Sequence, residues 1–227
     1  ADHPEARVSI HWDVRDPEAE NLAGYARCAD ILELSLWRSS MARDPIRCLA
    51  RDLAAVREGI GPDKPLILWI GASIPEAAAR TADAIRCAVY LAVLNGVNGV
   101  VFHMGHDGIP LGRTRLWSVF GGLAEEVEFL YPLMRTGTPA PPGAAACDSE
   151  RVAFAVRQSG DAVYVVAVNT GNVPVAARIR IGPGIEPEAA AVFESRSWSA
   201  GGGGFTDTLA GYEPRVYRLK RKPPVSE

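Results

Sequence analysis

Within the first 135 residues, four short apolar runs are each followed by a longer stretch with helical spacing, and this alternation constrains the fold more than any other feature. The runs are Arg7 to Val14 (RVSIHWDV), Ile31 to Trp37 (ILELSLW), Pro65 to Ala72 (PLILWIGA) and Gly99 to Gly105 (GVVFHMG). The helical stretches are Pro17 to Ala29, Asp44 to Gly59, Pro75 to Leu94 and Arg113 to Met134. Strands separated by helices of this length need crossover connections, which predicts parallel βα units. Asp16-Pro17, Asp44-Pro45 and Ser73-Ile74-Pro75-Glu76 set a capping oxygen beside a first-turn proline. Gly59, Gly61 and Gly96 mark the stops, where a left-handed residue closes the last turn.

Successive side chains of a strand point to opposite faces, so the runs sort into two sets. One set, including Ile10, Trp12, Leu32, Leu34, Leu66, Leu68 and Phe102, is apolar and suits packing against helices. The other carries Ser9, His11, Asp13, Glu33, Ser35, Trp37, Trp69 and His103 beside Ile67 and Val101. A parallel sheet covered by helices on both sides is apolar on both faces. A polar inner face toward the C-terminal strand ends is instead the arrangement of a (β/α) barrel, whose active site sits on strand ends and βα loops. His106-Asp107-Gly108 extends that rim.

These residues define the candidate site. Asp13 and Glu33 are the candidate catalytic carboxylates, able to serve as acid, base or nucleophile if their surroundings separate their pKa values. A salt-bridged barrel interior is the competing reading for both. His11, His103, His106 and Asp107 are candidate substrate contacts, and Trp37 and Trp69 are candidate platforms for a sugar ring or else core aromatics. The segment His103-Met104-Gly105-His106-Asp107 clusters possible metal ligands, but its spacing is not that of a helical zinc motif, so no metal or cofactor is assigned.

From Thr136 the pattern changes. TGTPAPPGAAACD is proline-rich and lacks helical period, which places a linker at 136–149. Beyond it, period-2 runs at Arg151 to Arg157, Ala162 to Asn169, Val175 to Ile181, Ala189 to Ser197 and Arg215 to Leu219 predict an antiparallel β-sandwich over 150–227. The run Gly201 to Gly204 reads as a hairpin tip. The fold class expected is therefore α/β followed by all-β, with a partial (β/α) barrel over 1–135.

Composition narrows the partners. The 227 residues are 48% hydrophobic and 22% charged, which is ordinary globular usage. A net charge of −3 and no basic cluster interleaved with aromatics argue against nucleic acid. No apolar run reaches the roughly 18 residues that span a bilayer. The first residues, ADHPEARVSIHWD, lack the basic and apolar regions of a signal peptide and start with Ala, which suggests sequence upstream. The compartment stays open. Cys28, Cys48, Cys87 and Cys147 have no C-x-x-C spacing and read as buried free thiols.

LILWIGA, TADAIRCAVYLAVLNGVNGVVFHMGHDG and LWSVFGGLAEEVEFLYPLM together resemble the last quarter of a glycoside-hydrolase (β/α)8 barrel. DAVYVVAVNTGNVPVAARIRI, AAVFESRSW and GGFTDTLAGYEPRVYRL resemble the C-terminal β-sandwich commonly fused to such barrels. The resemblance implies a carbohydrate substrate and hydrolysis of O-glycosidic bonds. It transfers no catalytic pair. The strand matching the family's seventh ends in Trp69-Ile70-Gly71 with no carboxylate, and the strand matching its fourth would precede Ala1.

Length adds a physical constraint, because a full barrel needs eight βα units and typically about 250 residues. The expectation is a C-terminal fragment of a longer hydrolase, or a half-barrel completed by self-association through its open edges. A non-catalytic carbohydrate-binding or scaffold protein is the alternative. A barrel isomerase or lyase acting on a phosphorylated molecule lacks a Gly-rich phosphate loop here, apart from Gly105 and Gly108.

Overall fold

The computed structural model describes residues 7–14, 17, 21–36, 44–71, 82–103, 116–140, 143–199 and 203–222. The alternating runs become four strands, β1 (Ser9–Val14), β2 (Ile31–Leu36), β3 (Leu66–Gly71) and β4 (Gly99–His103). They form one parallel sheet in the order β1-β2-β3-β4. The helices that cross between and beyond them are α1 (Leu22–Cys28), α2 (Pro45–Ile60), α3 (Ala82–Leu94) and α4 (Leu116–Thr136). Leu32, Leu34, Leu66, Leu68 and Ile70 are all buried, while their alternates Glu33, Ser35, Ile67 and Trp69 are half-buried, so the described helices cover one face.

Local chemistry fixes the helix ends. Asp44 caps α2 by accepting the Arg47 N–H at 3.3 Å, with Pro45 in the first turn. The helix closes at Gly61, whose φ of 84° suits glycine and whose N–H donates to the Arg57 carbonyl. Arg57 then gathers the carbonyls of Gly61, Lys64, Asn95 and Gly96, tying the end of α2 to the turn before β4. Asn98 accepts the Leu66 N–H at 2.9 Å and aligns the starts of β3 and β4.

The second half is antiparallel. One sheet has the order β11-β10-β13-β8-β7-β5 and the other β12-β9-β6. Their strands are β5 (Thr138–Pro139), β6 (Ala145–Cys147), β7 (Val152–Ser159), β8 (Ala162–Asn169), β9 (Val175–Ile181), β10 (Ile185–Ala191), β11 (Ser197–Ser199), β12 (Gly204–Leu209) and β13 (Pro214–Arg221). Val163, Ile179, Phe205, Tyr217 and Leu219 from both sheets share one buried cluster.

That cluster is not separated from the first half by solvent. Val166, Val168 and Val216 belong to the same core as α3 and the parallel strands. Helix α3 is therefore apolar nearly all round, with Ala84, Ile85 and Cys87 to Val93 buried. Within the antiparallel half, Arg215 is 4% exposed and pairs with Asp207, Glu213 and Glu194, while the Tyr217 hydroxyl donates to Asp207 at 2.8 Å.

Several boundaries depart from expectation. Helix α1 starts at Leu22, capped by Asn21, which accepts the Gly24 N–H at 2.9 Å, while the Asp16 cap lies outside the described residues. The stretch expected as a linker holds β5, paired with β7, and β6, paired with β9. The strand expected from Ala189 to Ser197 is a hairpin of β10 and β11, with Glu188 opposite Ser199. None of the four thiols is in a disulfide, yet only Cys87 is buried: Cys28 is exposed and Cys48 and Cys147 are half-buried. The cap at Ser73 to Glu76 lies outside the described residues.

Candidate functional site

The face that no described helix covers carries the polar alternates. In the parallel register His11 of β1 lies beside Glu33 of β2, Asp13 beside Ser35, and Ser35 beside Trp69 of β3. Five side chains from three strands thus meet on this face, Asp13 and Ser35 near the C-terminal strand ends and His11, Glu33 and Trp69 nearer mid-strand. His11 is their centre. Its Nε2 lies 3.2 Å from the Ser35 hydroxyl and 3.8 Å from Asp13 Oδ1. Its Nδ1 faces Glu33 Oε2 at 3.9 Å.

Trp69 closes the group on the other side. Its indole N–H donates to Glu33 Oε2 at 3.1 Å, and its ring meets the His11 imidazole edge-on at 4.5 Å between centroids. Glu33 is thereby fixed by a donor on β3 and a histidine on β1. The Glu33 side chain is 22% exposed and that of Asp13 66%, so one carboxylate is sheltered and the other faces solvent. A sheltered and an open carboxylate flanking one imidazole can exchange protons with a bound hydroxyl or acetal.

The structure brings together four of the eight candidate residues, His11, Asp13, Glu33 and Trp69. His103 is the last residue of β4, with its backbone in register beside Gly71. Trp37, His106 and Asp107 lie outside the described residues. Ser35 is the member that sequence reasoning did not select. Alternation already placed it on the polar face, but its significance appears only once the register sets it against His11. Among the described residues, no group of three or more His, Cys, Asp or Glu is placed to hold a metal ion. No helix among them is long and apolar enough to cross a membrane.

A second ionised group lies away from this face, between two helices. Glu126 of α4 accepts from Arg86 at 2.8 Å and from the Tyr90 hydroxyl at 2.6 Å. Burial and the bond to Glu126 push the Tyr90 phenol well above its ordinary range, so it stays protonated and holds α3 to α4.

No protein-family model matches the sequence, and neither does any curated protein. Solved structures do match by fold. A maltogenic α-amylase of Thermotoga neapolitana matches with TM-score 0.59 and 13% identity, covering 96% of this chain and 56% of its own. The α-amylase of Geobacillus thermoleovorans, solved with acarbose, gives 0.56 and 13%, covering 89% of this chain and 57% of its own. An Anoxybacillus α-amylase gives 0.53 and 10%, covering 90% and 56%. The chain spans little more than half the length of these structures. At such identity the likeness is one of fold: the chain folds like about half of an α-amylase-type glycoside hydrolase structure.

Proposed function

We propose that this chain is the C-terminal part of a carbohydrate-active glycoside hydrolase and that it takes part in hydrolysing O-glycosidic bonds once its barrel is complete. In this reading residues 1–135 are the last four units of a (β/α)8 barrel, 136–149 join the two parts, and 150–227 form a β-sandwich. The observation that carries it is the cluster of His11, Asp13, Glu33, Ser35 and Trp69 on one face of the parallel sheet. The fold of the α-amylase structures supports it. The sugar would lie over the strand ends, with Trp69 against a ring face and His103, His106, Asp107 and Trp37 at the rim.

The carboxylates would divide the work. Asp13, open to solvent, is placed to reach a glycosidic oxygen or a water, while Glu33, held by Trp69, is placed to stabilise developing positive charge. His11 would lie between them, facing both carboxylates.

The openness of Asp13 and His11 also favours a second reading, in which the chain binds carbohydrate without cleaving it. One experiment separates the two. Oligosaccharides and aryl glycosides are incubated with the chain and with a longer form carrying further βα units, with products followed by chromatography and binding by calorimetry. Product from the longer form supports the hydrolase. Binding without product from either supports the second reading, and neither binding nor product overturns both.

A further inference from the structure

The polar face of the parallel sheet holds one group that glycoside hydrolysis does not call on, the Ser35 hydroxyl. Ser35 Oγ lies 3.2 Å from His11 Nε2, within hydrogen-bond reach. The other ring nitrogen, Nδ1, faces Glu33 Oε2 at 3.9 Å. A hydroxyl therefore stands at one nitrogen of the imidazole and a carboxylate at the other. An activated serine needs that order, with a base to take its proton and an acid to orient the base.

The three groups are held by the sheet around them. Parallel register sets His11 of β1 beside Glu33 of β2, and Asp13 beside Ser35, so all four residues belong to two paired strands. The Trp69 indole N–H on β3 donates to Glu33 Oε2 at 3.1 Å, and its ring packs edge-on against the imidazole. Glu33 is thereby fixed as a positioning residue. Asp13 Oδ1, 3.8 Å from Nε2, adds a second negative charge beside the ring. When the imidazole takes a proton, both carboxylates face the positive charge it gains and stabilise it. Ser35 is the next-to-last residue of β2 and is half-buried rather than enclosed.

We propose that Ser35, His11 and Glu33 form an acyl-transfer triad that hydrolyses carboxylic esters. The Ser35 oxygen bonds to the acyl carbon while its proton passes to His11 Nε2, and Glu33 holds the Nδ1–H. The ester C–O bond then breaks, its electron pair leaves with the alcohol oxygen, and that oxygen takes the proton from Nε2. Water repeats both steps on the acyl-serine: its oxygen bonds to the acyl carbon, the carboxylic acid departs, and Ser35 recovers its proton. Water is the co-reactant throughout. The activity goes beyond the glycoside hydrolysis proposed above and does not rest on it.

All three residues lie in β1 and β2, so the test uses the 227-residue chain itself. The chain is treated with a fluorophosphonate, which bonds covalently to an activated serine, and the adduct is mapped by peptide mass spectrometry. Hydrolysis of p-nitrophenyl acetate is followed alongside. The expected result is an adduct on Ser35 together with ester turnover. His11→Gln and Ser35→Ala should each abolish that adduct and lower ester turnover by about 10²–10⁴-fold, with circular dichroism unchanged. A wild-type chain that carries no adduct on Ser35 overturns the proposal, whether or not the variants fold. Ester turnover that survives Ser35→Ala overturns it too. Glycoside cleavage is read with different substrates, so this proposal and the hydrolase reading can fail separately.

Discussion

Glu33 takes an indole N–H from Trp69 and faces the imidazole of His11, and those two neighbours decide what the carboxylate can do. If the proposed hydrolase reading holds, Glu33→Gln keeps the shape and the indole bond but removes the charge, so turnover of the complete barrel should fall by about 10²–10⁴-fold with the fold unchanged. Steady-state kinetics alongside circular dichroism checks this. Ser35→Ala removes the hydroxyl 3.2 Å from His11 and, on the same reading, should lower turnover more than the folding midpoint. In the antiparallel half, Arg215 and Asp207 are both almost wholly buried. Arg215→Leu leaves the Asp207 carboxylate without its main cation and should cost about 3–5 kcal/mol in urea unfolding.

At the scale of the element, α3 carries the strongest constraint. It is buried against the parallel sheet on one side and against Val166, Val168 and Val216 on the other. Leu91→Ala within it should cost about 2–5 kcal/mol, read from denaturant midpoints. The tyrosines give a pH test. Burial, followed by hydrogen bonding to Glu126 or Asp207, raises the Tyr90 and Tyr217 phenols above their unfolded values. The unfolded chain therefore releases these protons first as pH rises. The stability the phenols contribute is complete below about pH 10 and falls above it. Unfolding midpoints measured above that pH should drop, and Tyr90→Phe should flatten the drop.

Elements were legible where the period was strict and partners were local. Leu32, Leu34, Leu66 and Leu68 announce β2 and β3 by alternation alone, and Ala162–Asn169 and Val175–Ile181 form strands with the expected bounds. The strand Gly204–Leu209 was hidden by the glycines before it, and it exists because it pairs with β9. The break between Ala191 and Ser197 was hidden because the apolar residues Val192 and Phe193 continue the strand pattern into the turn. For the site, alternation chose the face, whereas the contact of Ser35 with His11 depends on register between strands, which no local pattern encodes.

At the scale of the molecule, the two halves share a core rather than meeting as separate bodies. Unfolding followed by a reporter in the parallel sheet and another in the antiparallel sheets should give one coincident transition, and two separated transitions would contradict the shared core. The uncovered polar face is the counterpart of that arrangement. With the helices and the second half on one side, everything chemically reactive on β1, β2 and β3 is left facing the other. The account stands or falls on that face being where sugar is cleaved. The direct measurement is the turnover of aryl glycosides by the completed enzyme, comparing wild type with Asp13→Ala and Glu33→Gln. Loss of turnover in both variants, with folding unchanged, is the predicted result; wild-type rates in both would remove these residues from the site and contradict it.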